Sequence, residues 1–131
     1  MPIDNWTVKI PMPQLKIQPA GGQASFEPGQ SIDVEANWQL DEQADSIELR
    51  LIWFTEGKGS EDVCVVADHT IEHPKMADSH LWQLELPSQP YSFNGTLIVL
   101  VWSLELLVND GDATTRFDLT IAPGGKAVEL R

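Results

Sequence analysis

Apolar and polar residues change places at every second position over much of this chain. Ile32, Val34, Ala36, Trp38 and Leu40 alternate with Asp33, Glu35, Asn37 and Gln39. That is the period of a strand with one face on a core and the other in water. Ile47, Leu49, Leu51 and Trp53 repeat it, then Trp82, Leu84 and Leu86, and finally Phe117, Leu119 and Ile121. Trp6, Val8 and Ile10 predict a first strand, stopped by Pro11 and Pro13 and resumed at Leu15 and Ile17. Val63 to Val66 predicts a short strand after a turn at Gly57 and Gly59. A helix competes only at Leu97 to Val108. There the even positions from Ile98 to Val108 form one unbroken apolar face, and the β-branched content favours a long central strand. Asp110-Gly111 then predicts a tight turn into the last strand. Seven to eight strands at this spacing, with no convincing helix, predict an all-β, antiparallel two-sheet sandwich.

Length and charge narrow the picture. The 131 residues suit one domain, with segment 1–14 and tail 123–131 at its periphery, and no linker or repeat divides them. An apolar content of 42% with five tryptophans argues against disorder. Eight basic against twenty acidic side chains leave a formal charge of −12, which repels nucleic acid and anionic membrane surfaces alike. Leu97 to Val108 is interrupted by Ser103 and Glu105 and is too short to span a bilayer, so no membrane insertion is expected. The start of the chain, with Asp4 and no apolar run, does not read as a secretory signal. The lone Cys64 cannot form an internal disulfide, and a reducing, cytoplasmic setting is expected.

Two stretches carry more than sandwich grammar. Phe26-Glu27-Pro28-Gly29-Gln30-Ser31-Ile32 sets a Pro-Gly turn directly before an alternating strand, with Pro and Gly placed for a type II turn. Leu84 to Gly95 runs from a strand through a proline corner, Leu86-Pro87-Ser88-Gln89-Pro90-Tyr91-Ser92-Phe93-Asn94-Gly95, into the longest strand. With Trp102-Ser103-Leu104-Glu105 and Arg116-Phe117-Asp118-Leu119, this order resembles the N-terminal-type domain of arrestin-like proteins, over roughly Leu15 to Ile121. The resemblance implies an immunoglobulin-like, arrestin-like sandwich and a bias toward binding other proteins. Arrestins pair two such domains and sense phosphate through a basic surface. This chain has length for one domain and the opposite charge, so receptor binding is not carried over.

Chemistry-bearing residues are few. Asp68, His69, Glu72, His73 and His80 are the one cluster of metal-ligand types, but Pro74 and the strand context argue against a helix aligning His69 with His73. A solvated polar connection between strands is the expectation there. Asn109-Asp110-Gly111-Asp112 lacks the spacing of a calcium loop and reads as a hairpin turn. No carboxylate pair stands out, and no nucleophile elbow or phosphate loop is present. Cys64, among valines, reads as a buried inert thiol. The expectation is no enzyme, no cofactor, no metal and no small-molecule ligand. A carbohydrate-binding sandwich is the alternative, because exposed Trp faces stack on sugars. However, Trp38, Trp53, Trp82 and Trp102 share the parity of their apolar neighbours, which leaves only Trp6 unassigned to a core.

One surplus remains. Each strand of a two-layer sandwich needs a single apolar face, yet Ile52, Phe54, Leu97, Val99 and Val101 lie opposite the core parity, and Val63 to Val66 is apolar on both sides. As neighbours in one sheet, these side chains form an outer patch of the size that marks an interaction site. A protein partner or a second copy of the chain is the expected occupant, in place of the missing second arrestin domain. Cover by the segment around Trp6, or placement of these strands in different sheets, is the competing reading.

Overall fold

The computed structural model describes residues 13–57 and 61–130. Its strands are β1 (Gln14–Pro19), β2 (Ser25–Phe26), β3 (Ser31–Gln39), β4 (Ser46–Gly57), β5 (Val63–Glu72), β6 (Ala77–Glu85), β7 (Phe93–Asn94), β8 (Ile98–Val108), β9 (Ala113–Ile121) and β10 (Val128–Glu129). A small antiparallel sheet runs β1-β3-β6. The larger sheet runs β5-β4-β8, after which β8 pairs with β9 over one half of its length and β7 over the other; β2 and β10 are added in parallel to β9 and β7. The all-β two-layer sandwich anticipated from the alternation is the architecture observed. The expected strand at Trp6, Val8 and Ile10 lies outside the described residues.

The core follows from parity. Ile32, Val34, Ala36 and Trp38 of β3 face inward, while Ser31, Asp33, Asn37 and Gln39 between them are exposed. Opposite them, Ile47, Leu49 and Leu51 of β4 and Trp102, Leu104 and Leu106 of β8 are fully buried. The stretch from Leu97 to Val108 is therefore the central strand of the larger sheet, flanked by β4 and by β9 with β7. Each buried aliphatic or aromatic side chain stabilises the fold by about 1.5–3 kcal/mol relative to exposure. Trp102 also hydrogen-bonds, its indole N–H donating to the Pro90 carbonyl at 2.8 Å.

The two stretches singled out in the sequence meet at one end of the sandwich. Gly29 has φ 79°, and the Gln30 amide donates to the Glu27 carbonyl, so Glu27-Pro28-Gly29-Gln30 closes as a type II turn. Its Gly29 amide donates to the Pro87 carbonyl, and the Leu86 amide donates to the Gln30 carbonyl. The proline corner is thus tied to the turn. Beyond it, the buried Ser92 donates its amide to the Ile121 carbonyl and accepts from the Ile121 amide through its hydroxyl. The tail is bound here as well, since the Val128 amide donates to the Ser92 carbonyl.

Two expectations for the middle of the chain are corrected. β5 does not stop at Val66; it continues through Asp68, His69 and Glu72 and pairs with β4 along its whole length. Asp68 to Glu72 is therefore strand, not a polar connection. The reason is a β-bulge: Ile52 faces Val65 and Leu51 faces Ala67, which leaves Val66 unpaired and reverses the parity of β5 midway. Cys64 is half-buried rather than buried, because β5 is the outermost strand of its sheet and half of its surroundings are open.

Candidate interaction surface

The outer face of the larger sheet has two parts. Toward one end lies a charged strip. Arg50 of β4 forks onto Glu48, with its Nε 3.0 Å and an Nη 3.1 Å from the two carboxylate oxygens, and reaches Glu105 of β8 at 3.8 Å. Arg116 of β9 closes the chain of charges on Glu105 at 3.3 Å. The hydrogen bond from Arg50 holds the Glu48 carboxyl below the usual carboxylate range against a smaller opposing effect of burial. The same contact pushes the Arg50 guanidinium up.

The apolar part adjoins this strip. Register places Ile52 beside Ser103, Phe54 beside Val101 and Glu56 beside Val99, so Ile52, Phe54, Val99 and Val101 share one face, while Leu97 lies just before the start of β8. They are not equally accessible. Ile52 and Phe54 are buried, and the Arg116 guanidinium lies 4.8 Å over the Phe54 ring. Val99 and Val101 are half-buried, and Leu97 is 64% exposed. Leu97 is held at the start of β8 against Gly57, whose φ of 145° and contact with the Leu97 backbone leave no room for a Cβ. Within the strands of the larger sheet, the exposed large apolar side chains are on its edge. Val63 is 65%, Val65 45% and Val66 39% exposed.

The edges of the two sheets face each other on that side of the molecule. His69 of β5 and His80 of β6 stack with ring centroids 4.9 Å apart and planes inclined by 14°, and Trp82 lies 6.4 Å beyond His69. Stacked in parallel, the two imidazoles bridge the sheets face to face. His73 is separate from them, in the turn after β5 with φ 51°, its amide bonded to the Asp45 carbonyl. Among the described residues, no three His, Cys, Asp or Glu side chains converge as a metal site would require. That turn is itself anchored, with the Lys75 carbonyl accepting from the Trp38 indole and the Pro74 carbonyl from Gln43.

Four tryptophans can be placed. Trp38 and Trp102 are buried, and Trp53 and Trp82 are partly buried against the core, so their faces are spent on packing. Trp6 lies outside the described residues. Sequence reasoning found the outer apolar surplus, Val63 to Val66 included, but not which of those four point outward, because the bulge at Val66 has no local signature.

No family model matches the chain, and no curated protein matches it in sequence. Solved structures do match in fold. The sporulation control protein Spo0M from Bacillus subtilis superposes with a TM-score of 0.57 at 12% identity, covering 86% of this chain and 50% of its own. The fold is an arrestin-like β-sandwich. The chain spans half the length of Spo0M. A β-glucosidase from Listeria innocua aligns over 88% of this chain and 16% of its own, at 13% identity and a TM-score of 0.48. Among the described residues, no helix is long and apolar enough to cross a membrane.

Proposed function

We propose that this arrestin-like sandwich is a non-catalytic protein-interaction module, working without a cofactor or small-molecule ligand in a reducing, cytoplasmic setting. The observation that carries the reading is the gathering of exposed apolar side chains, Val63, Val65, Val66 and Leu97, at one end and edge of the larger sheet. Exposed clusters of this kind mark contact surfaces on otherwise polar proteins. The likeness to Spo0M, a sporulation control protein, supports a regulatory role over a chemical one. The charge of −12 favours a basic protein partner and disfavours nucleic acid.

The test uses the full chain as bait in native extract, beside a Val63→Asp/Val65→Asp variant. A stoichiometric protein partner recovered by the wild type and lost by the variant is the expected result. Turnover of a small molecule, abolished by changing one carboxylate or Cys64, would reverse the reading.

A further inference from the structure

The edge strand β5 offers more than apolar side chains. Antiparallel residues alternate between those whose backbone groups bond the neighbour and those whose groups point away from it. At one end of β5 the His73 amide bonds the Asp45 carbonyl, and at the other the Thr55 amide bonds the Asp62 carbonyl. Carrying these two registers inward turns Ala67, His69 and Ile71 toward β4, and leaves the N–H and C=O groups of Asp68, Thr70 and Glu72 directed away from the sheet. Val63 and Val65 do the same beyond the bulge. Among the described residues nothing pairs with this edge. Edge strands are commonly protected by Lys, Pro or a bulge; β5 contains neither Lys nor Pro, and past the bulge at Val66 its edge runs without a break from Ala67 to Glu72.

The side chains set what could pair there. On the outer face, Asp68 and Glu72 are exposed, and no Lys or Arg occurs between Glu61 and Glu72. On the inner face, Ala67, His69 and Ile71 are half-buried, beside the stacked His80 and Trp82 of the facing sheet edge. A strand added to β5 places every second side chain beside the carboxylates and the ones between over this half-open mouth of the core. A second copy fits poorly, since antiparallel pairing of β5 with itself about Val65 sets Asp62 opposite Asp68.

Building on the interaction reading above, we propose that β5 binds an extended peptide segment of alternating basic and apolar residues by strand addition along Asp68 to Glu72. The basic side chains lie over Asp68 and Glu72, and the apolar ones cover Ile71 and the His69–His80 stack.

The test uses the full chain and a synthetic peptide of alternating Lys and Val, with a peptide of the same composition in block order as control. Amide exchange is followed residue by residue. Saturating alternating peptide is expected to slow the amides of Asp68, Thr70 and Glu72 at least tenfold, while those of His69 and Ile71, bonded to β4, are slow from the start. Thr70→Pro removes one outward N–H and is compatible with an edge position; it should keep the melting temperature within a few degrees and abolish this protection. Asp68→Asn/Glu72→Gln should weaken binding about tenfold.

Equal protection by the block peptide, or unchanged binding by Thr70→Pro, would overturn the proposal. So would outward amides already slow in the monomer, which means the chain covers its own edge, or a dimer that slows the same amides. A Thr70→Pro variant that still captures its native protein partner would remove strand addition and leave the broader interaction reading standing.

Discussion

The two long sides of the sandwich are closed in different ways. On one side β1 of the small sheet packs across onto β8 and β9 of the large one, and its Ile17 is buried with the core. On the other side β5 and β6 face each other through the His69–His80 stack, with Trp82 behind, and all three rings are half-buried. Aliphatic packing excludes water and resists opening. A pair of polar rings closes a gap while retaining hydrogen-bonding atoms that water can reach. The closed side serves stability, and the ring-bridged side is the one on which the proposed strand addition rests.

Mutations can be ranked against this contrast. The largest loss belongs to the centre that both sides share: Trp102→Ala should destabilise by about 3–5 kcal/mol in chemical denaturation. A value below about 1 kcal/mol would mean that the site collapses freely around the missing ring. Next comes the contrast itself. Ile17→Ala on the closed side should cost about 2–4 kcal/mol, and Ile71→Ala on the ring-bridged side about 1 kcal/mol, because part of its side chain is already in water. Equal costs would show that the two sides are packed alike. Smaller again is the ring pair, where a double-mutant cycle of His69→Ala and His80→Ala should give a coupling of about 0.5–1 kcal/mol.

The smallest effect comes from the charged strip on the outer face. Arg50 lowers the Glu48 pKa in the folded protein. The ionised carboxylate therefore stabilises the fold above its unfolded-state pKa, and the contribution disappears as the pH falls through the depressed folded-state value. Glu48→Gln should destabilise by about 0.5 kcal/mol at neutral pH and low salt, because the pair is partly solvated. Melting curves of the variant and wild type should converge on acidification below the ordinary carboxylate range. A gap that widens in acid would reverse the sign of the linkage.

How much of this was legible in the sequence depended on whether the period stayed in phase. In β3, apolar and polar residues alternate without a slip, so strand, face and core membership could be read together. β8 was legible for the same reason, and the Pro28-Gly29 turn because only Gly enters positive φ there at little cost. β5 was not. Val63 and Val65 point outward while Ala67, His69 and Ile71, at the same odd parity, point inward, and nothing local announces the extra residue between them. The start of β6 was hidden differently. Ala77, Asp78 and Ser79 have no apolar alternation and are strand because β3 pairs with them. The candidate surface was half visible: Ile52 and Phe54 were placed on the correct face, but the cover over Phe54 by Arg116 is a tertiary contact with no signature along the chain.

The bulge at Val66 also decides how β5 tolerates a change in length. Removing Val66 leaves Val65 opposite Ile52 and Ala67 opposite Leu51, so every remaining side chain keeps its face and its partner. Removing Val65 gives the same sequence, whereas removing a residue farther along the strand, such as Thr70, would turn the side chains between it and the bulge to the opposite face, histidine outward and valine inward. Val66, equivalent in this respect to Val65, is thus dispensable to the phase of β5. Its loss would, however, merge two short interrupted edges into one straight, unbroken edge carrying Val63 and Val65. The shortened strand should fold as before and precipitate more readily than the wild type in a turbidity assay; equal solubility would mean that the extra residue does not act as a spacer between molecules.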